Sequence, residues 1–298
     1  MSEYIDYDMR RAYCSTTISK TSSLLNKPCY NLNEPRDRSK ALMDLKDRIG
    51  ASIDFAFKDK SCLQDDEFLY RFLFAKKLNV DEAFQLLINY HNYRTKNPEV
   101  FDNISTMTET VQLCLKDGFP GVLSERDRRG RKVLVYFASN WNHTSYSLMS
   151  VYKATIITLD KLLEDKQNQA NGFVVIVDWT NFTFRQSSHL NPKILKLMIE
   201  GLEDCYPVRF KGIHFVGQSW YVEAALILIK TTLKEKTRKK IRMHGTNLST
   251  LHESVAKDIL PTELGGDGPA LNNENWYNTL MESMKAHENF DNIINGNY

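Results

Sequence analysis

Cysteine is scarce in this chain of 298 residues, which contains five cysteines. They are Cys14, Cys29, Cys62, Cys114 and Cys205, and no two of them form a C-x-x-C pair. Their odd number and wide spacing argue against a disulfide framework and against a zinc knuckle. The seven histidines are also spread singly, without a close ligand pair. We therefore expect a reducing compartment, no metal site and no cofactor.

Long apolar runs are absent as well. No stretch approaches the roughly 20 apolar residues that a membrane-spanning helix needs, and the start of the chain lacks an apolar signal core. The formal net charge is only +2, so basic residues act here as local patches. The sequence thus predicts a cytoplasmic protein whose contact with membranes is peripheral.

Sequence signatures of catalysis are missing too. The chain has no G-x-S-x-G elbow, no phosphate-binding P-loop and no G-x-G-x-x-G turn. His214 alternates with apolar neighbours and Asp178 ends a strand-like run, where α/β enzymes often place an acid. Since neither has an identifiable catalytic partner, we interpret both as buried, hydrogen-bonded structural residues. The sequence favours a protein that is not an enzyme.

The pattern of apolar residues divides the chain into four predicted parts. Residues 1–35 are polar and predict a flexible lead-in. Residues 36–117 show helical periodicity and predict a small all-helical domain. Residues 118–270 predict an α/β domain, and residues 271–298 a C-terminal helix and tail.

Short β-branched runs alternate with helical patterns in the α/β part. The runs RKVLVYFAS, GFVVIVDW and GIHFVGQ predict strands, and IRMHG is a candidate for a further one. Strands that alternate with helices pair in parallel through right-handed crossovers. We therefore expect a mostly parallel sheet faced by helices.

An apolar run is joined directly to a basic one in the second half of the chain. Residues 220–233 are apolar on nearly every helical face, which suits either a core helix or a helix that covers a cavity and can turn towards lipid. The run LKEKTRKKIRMHG that follows holds six basic residues and one acid. A second basic element, YPVRFKG, places Arg209 and Lys211 on one side of an extended segment.

These two basic elements flank the apolar helix and suggest a site for an anionic headgroup. A solvated surface is the simpler alternative for each basic run alone. Nucleic acid is the competing anion, but the basic run lacks interleaved aromatic residues, and no helix-turn-helix or RRM signature is present. We therefore expect no nucleic-acid partner.

Several segments, in order between about residues 40 and 280, resemble the CRAL-TRIO lipid-binding family. They are FLYRFLFAKKLNVDEAFQLLINYHNYR, GRKVLVYFASNW, NGFVVIVDWTNFTF, YPVRFKGIHFVGQSWY, LKEKTRKKIRMHGTNL and DILPTELGG. Within that family the chain is most similar to the clavesins, followed by the tocopherol and retinaldehyde carriers. The resemblance implies a helical N-terminal domain and a mostly parallel sheet that floors an apolar pocket closed by a mobile lid helix.

The resemblance also implies site residues. The phosphoinositide-binding cleft would be formed by Lys76, Arg209, Lys211, Lys236 and Lys240. The wall of the hydrophobic pocket would include Tyr152, Thr155, Ile156, Leu159, Phe173, Met198, Leu202, Tyr206, Phe210 and Ile213. The lid would present Trp220, Tyr221, Ala225, Leu228 and Ile229.

The function implied by the resemblance is that of a non-enzymatic carrier. It would hold a hydrophobic small molecule such as a retinoid, a tocopherol or another lipid, and would bind membranes that contain phosphatidylinositol bisphosphate. One alternative is a clavesin-like trafficking adaptor that works with the clathrin machinery, and another is a dedicated retinoid or tocopherol carrier. The expected location is the cytoplasm, with peripheral association to endosomal or trans-Golgi membranes and vesicles.

Overall fold

The computed structural model describes residues 30–57, 61–102, 104 and 107–294. The side chains of residues 55, 61, 228, 232 and 286–294 are outside that description. Most of the predicted lead-in, residues 1–29, therefore lies outside the described residues, as do residues 295–298 of the predicted tail.

Helices come first along the described chain. They are α1 Pro35–Ala51, α2 Asp66–Ala75, α3 Val80–Lys96, α4 Pro98–Phe101 and α5 Glu109–Lys116. The spacing of Leu42, Leu45 and Ile49 predicts a buried helical face, and all three are buried in α1. The Asn79 side chain accepts a hydrogen bond from the backbone of Glu82 and so caps α3. The expected helical region at the N-terminal end of the fold is thus confirmed.

A five-stranded sheet follows, with its strands in the order in which they occur in the chain. The strands are β1 Gly121–Arg126, β2 Lys132–Phe137, β3 Phe173–Asp178, β4 Phe210–Val216 and β5 Ile241–Met243. Strands β2 to β5 pair in parallel, while β1 is antiparallel to β2. The mostly parallel sheet is as predicted. The edge strand β1 was not predicted, because its sequence GVLSER turns polar after three residues.

The remaining helices cross over the sheet or lie beside it. They are α6 Leu148–Leu162, α7 Lys166–Asn171, α8 Phe184–Ser187, α9 Pro192–Glu200, α10 Trp220–Thr232, α11 Glu235–Arg238, α12 Leu248–His252 and α13 Asn273–Ile294. Short 3₁₀ segments span Phe55–Phe57, Ser61–Gln64, Ala138–Asn140, Lys257–Ile259 and Thr262–Leu264, and a π turn spans Gly201–Cys205. Within the described ranges, no helix combines the length and hydropathy needed to cross a membrane.

The two faces of the sheet have different neighbours. Successive residues of a strand point to opposite faces. On one face, Val133 and Val174 pack in a cluster with Leu251 and Leu260 from the C-terminal part of the chain. The other face carries Leu134, Val175 and their counterparts, and it fronts a large cavity.

The π turn Gly201–Cys205 packs closely against two tyrosines, one from α3 and one from α6. A Cβ atom on Gly201 would lie 2.0 Å from the hydroxyl oxygen of Tyr152 and 2.7 Å from that of Tyr93. These two hydroxyls are 2.9 Å apart, and that of Tyr93 donates to the carbonyl of Leu197 at 2.8 Å. Only glycine allows the backbone to approach the two tyrosines this closely.

Replacing Gly201 by alanine should therefore destabilise the fold. We expect Gly201→Ala to lower the free energy of unfolding by about 1–3 kcal/mol, because the added methyl group overpacks the tyrosine pair. Gly50→Ala is the control, since Gly50 lies in α1 and a methyl group added there would have no neighbouring atom within 4 Å. That change should stabilise the protein by about 0.5–1 kcal/mol. Urea denaturation measures both values, and equal stability of Gly201→Ala and wild type would contradict the packing argument.

Candidate functional site

A cavity of about 1850 Å³ lies over the open face of the sheet. Its floor has two rows of side chains that run across β2, β3 and β4. Leu134, Val175 and Ile213 are paired in register and form the first row. The second row, Tyr136, Val177 and Phe215, is paired in the same way. The parallel register therefore builds a continuous apolar floor.

Helices and connecting segments complete the wall of the cavity. The α6 helix contributes Leu148, Val151 and Thr155 to it. Aromatic side chains from the connections after β2 and β3 line it as well, among them Trp141, Trp179 and Phe182. Sequence reasoning found Ile213 but missed the other five residues of the floor rows and these aromatic residues. The alternation of side chains along each strand could have predicted the floor residues. The aromatic residues lie in loops, whose sequences have no periodic pattern to read.

The α10 helix faces the cavity with one side and solvent with the other. Tyr221, Ala225 and Ile229 line the cavity. In contrast, Trp220 and Ile227 are 77% and 56% exposed. The side chain of Leu228 lies outside the described residues. A plain core helix is excluded by this two-sided environment, since a core helix would bury its large apolar side chains.

All five predicted cations line the same cavity, at one of its ends. Lys76 caps the end of α2, where the next two residues have positive φ angles and turn the chain. Arg209 is half-buried, and its guanidinium donates to the carbonyls of Gln169 and Ala170. Lys236 is exposed on the short helix α11. Three separate parts of the chain thus bring their positive charges together.

Burial, together with repulsion between neighbouring positive charges, lowers the pKa of two lysines in this group. Burial lowers the pKa of Lys240 to about 8, and Lys236, Lys211 and Arg209 act in the same direction. Burial also lowers the pKa of Lys76, to which Lys236 contributes by repulsion. A bound anion would relieve this repulsion, so the cluster is suited to binding phosphate groups.

Comparison with known proteins identifies the family. Residues 116–266 match the family model described as CRAL/TRIO domain. Clavesin-2 of Homo sapiens is 43% identical over 259 residues, which cover 87% of this chain and 78% of that protein. The chain belongs to the CRAL-TRIO family. Clavesin-1 of Xenopus laevis is also 43% identical, over 258 residues that cover 86% of this chain and 76% of that protein.

A solved structure shares the fold of this chain. The crystal structure of Sfh5 superposes with a TM-score of 0.52 and covers 78% of this chain and 89% of that chain. Its sequence identity is 18%, so this likeness concerns the fold alone. The resemblance read from the sequence is confirmed, and the family relationship supports a role in binding or transferring lipids.

The CRAL-TRIO cavity has a wall that differs in part from the predicted one. Six of the ten expected residues line it, namely Thr155, Met198, Leu202, Tyr206, Phe210 and Ile213. Tyr152, Ile156, Leu159 and Phe173 do not line it, and all four are 0% exposed in an adjacent core cluster. The three α6 residues occupy the helical face next to the one that carries Thr155. Phe173 shares its sheet face with Val175 but packs at the strand end near the ring of Phe210.

His214 and Asp178 lie outside this cavity wall and are buried, as the structural interpretation expects. The Asp178 carboxylate accepts a hydrogen bond from the backbone N–H of Thr180 at 2.8 Å. Nδ1 of His214 is 2.9 Å from Nε2 of His244. Nδ1 of His244 is in turn 2.7 Å from the Thr250 hydroxyl, which donates to a backbone carbonyl. This chain of hydrogen bonds requires a neutral His244, because its Nδ1 donates to Thr250 and its Nε2 accepts from His214. Burial favours the neutral form of His214 as well.

Acid should therefore destabilise the protein partly through His214. Burial, followed by repulsion from His244, lowers the pKa of His214 from its ordinary value of 6.5 to about 4. Between those values the unfolded chain binds a proton that the folded chain does not, so stability falls as the pH falls. The loss attributable to His214 is on the order of 3 kcal/mol.

The variant His214→Asn tests this contribution. Its amide can still donate to His244 but does not titrate. Urea denaturation between pH 7.5 and pH 4 should show a smaller loss of stability for the variant than for wild type. Parallel pH profiles of the two proteins would contradict the assigned role of His214.

Proposed function

We propose that this protein is a non-enzymatic intracellular lipid carrier that holds a hydrophobic ligand in its cavity and binds phosphatidylinositol bisphosphate on membranes through its basic cluster. The observation that carries the proposal is continuity: the apolar floor and the five cations line one and the same cavity. A membrane-bound headgroup at the cations would bring the cavity next to lipid.

The chemistry of the floor supports an apolar cargo. Its side chains are mostly aliphatic and aromatic, and the hydroxyl groups of Tyr136 and Thr155 are already paired. The hydroxyl of Tyr136 lies 3.0 Å from that of Thr155, which donates to the carbonyl of Val151 at 2.8 Å. Such a wall offers contact surface and few unpaired polar groups, which favours a retinoid, a tocopherol or another lipid.

The charge at the other end supports an anionic membrane as partner. Each lysine near an anionic bilayer contributes roughly 1 kcal/mol of binding free energy. Phosphate groups are also strong acceptors for lysine and arginine. We assign headgroup binding to Lys76, Arg209, Lys211, Lys236 and Lys240.

The α10 helix is proposed as a mobile lid. Its cavity side would contact the cargo, while Trp220 and Ile227 already present apolar surface to the outside. In this proposal residues 118–270 form the lipid-binding domain, and residues 36–117 form the helical domain that supplies Lys76. The site of action would be the cytoplasmic surface of endosomal or trans-Golgi membranes.

Vesicle binding tests the headgroup assignment. Lys236→Gln should weaken binding to vesicles that contain phosphatidylinositol bisphosphate by roughly fivefold, the loss of about 1 kcal/mol. Lys239→Gln is the matched control, because Lys239 is exposed in the same run but pairs with Glu235 and does not line the cavity. Sedimentation with vesicles at two salt concentrations measures both, and salt should weaken the wild-type interaction. Equal binding of the two variants would show that the headgroup lies elsewhere.

Organic extraction of the purified protein, followed by mass spectrometry, tests the cargo assignment. Wild type should retain one apolar species in near-stoichiometric amount. Val177→Trp should reduce that amount severalfold, because Val177 lies on the cavity floor and the larger ring takes up the space of the cargo. Ile227→Trp adds the same ring on the exposed side of α10 and should retain cargo like wild type. Vesicle binding by a protein with no retained lipid would favour the trafficking adaptor instead.

A further inference from the structure

Two acidic residues among the cations of the cavity contact the segment that follows α10. Glu203 and Asp204 belong to the π turn Gly201–Cys205, and both line the cavity together with Lys76, Lys234 and Lys236. Lys234 is not among the five cations of the assigned headgroup site. The acids and Lys234 therefore need a separate explanation.

Both acids bind Lys234, which lies just beyond the end of α10. The backbone N–H of Lys234 donates to the two carboxylate oxygens of Glu203 at 3.2 and 3.5 Å. The ammonium group of Lys234 forms an ion pair with Asp204. Leu233 and Lys234 have extended backbone angles, with ψ of 145° and 146°, and so separate α10 from α11. The carboxylates thus hold the connector at the C-terminal end of α10.

The acids themselves are anchored to the body of the protein. Gly201, in the same π turn, packs against Tyr93 of α3 and Tyr152 of α6. The side-chain amide of Asn89, also in α3, donates to the backbone carbonyl of Asp204 at 3.3 Å. Glu203 and Asp204 are therefore held by the body of the protein, whereas Lys234 is on the connector that follows α10. An outward movement of the α10 end has to break the contact between them.

The acids already interact with cations that an incoming phosphate would bind. The hydrogen bond with Asp204 is the main cause that raises the pKa of Lys234. Burial lowers the pKa of Lys76, and Lys236 and Lys234 add to that effect, while Glu82 and, more weakly, Asp204 act in the opposite direction. Asp204 thus already provides part of the negative charge that stabilises the cations at this end of the cavity. A phosphomonoester carries about −1.5 to −2 charges against −1 for a carboxylate, so it is the stronger competitor.

We propose that Glu203 and Asp204 form an internal latch that holds Lys234, and with it the C-terminal end of α10, until a phosphate group displaces them. Lys234 then becomes a sixth cation of the headgroup site. Displacement couples the arrival at an anionic membrane to release of the lid. This inference rests on the proposed function, since it names the residues through which headgroup binding would open the cavity.

Hydrogen exchange in solution tests the latch without a membrane. Asp204→Asn and Lys234→Gln each remove the ion pair, and each should raise the exchange rate of peptides that cover Trp220–Thr232 by roughly two- to fivefold, as expected for one exposed pair. Glu235→Gln is the matched control. It removes one negative charge and the 2.6 Å pair with Lys239 in the same basic run, and that pair does not involve Lys234. Its exchange should equal that of wild type.

Vesicle binding distinguishes a latch from a contact between Asp204 and Lys234 that only stabilises the fold. Asp204→Asn should tighten binding to vesicles containing phosphatidylinositol bisphosphate by about two- to fivefold, because Lys234 is released. Lys234→Gln should weaken binding by a similar factor, because a cation is lost. A loss of fold would weaken both. A parallel experiment measures hydrogen exchange of α10 with soluble inositol trisphosphate in place of vesicles. If both the soluble phosphate and the vesicles speed up exchange, the phosphate groups alone are sufficient to release the latch. If only the vesicles speed it up, the lipid surface is the trigger.

Two outcomes are decisive and distinguishable. Wild-type exchange rates in both Asp204→Asn and Lys234→Gln would overturn the latch, whatever the vesicles show. Faster exchange in these variants, together with no binding of wild type to the vesicles, would overturn the proposed membrane function and still support the contact as a restraint on α10.

Discussion

The in-register parallel pairing of β2, β3 and β4 is the constraint on which the cavity depends. A slip of one residue in any of these strands would move its inward side chains to the opposite face of the sheet. Both faces are apolar, as is usual for parallel strands covered on both sides. The C-terminal segments fill one face with a packed cluster, and the helices α6, α9 and α10 enclose space over the other. The cavity is therefore a consequence of unequal covering, since the strand sequences are apolar on both faces.

A second constraint is electrostatic. The cations at the end of the cavity repel one another, and this repulsion adds to the effect of burial in lowering the pKa of Lys240. They stay together because each is attached to an element that is anchored elsewhere. Carbonyl groups accept the hydrogen bonds of Arg209, and Asp204 balances part of the charge through Lys234. An unliganded site of this kind is electrostatically unfavourable, and the binding of an anion relieves the repulsion.

The cavity also joins parts of the chain that the sequence pattern separates. Lys76 comes from the helical region, the floor from the sheet, and Lys236 from the segment after α10. The π turn contacts α3 on one side and the connector after α10 on the other. A ligand bound at this end of the cavity would thus contact the helical region, the sheet and the segment that follows the proposed lid.

The sequence by itself determined the family, the helices of the N-terminal region, four of the strands and the joining of a basic run to an apolar helix. These features are local or periodic, so they can be read from neighbouring residues. Only the tertiary structure decided which apolar residues line the cavity. Tyr152 and Thr155 are both apolar-face positions of α6, yet one is buried in the core and the other faces the cavity, because that choice depends on what packs against the helix. The contact of Glu203 and Asp204 with Lys234 spans some 30 residues of sequence, and only folding brings these charges together.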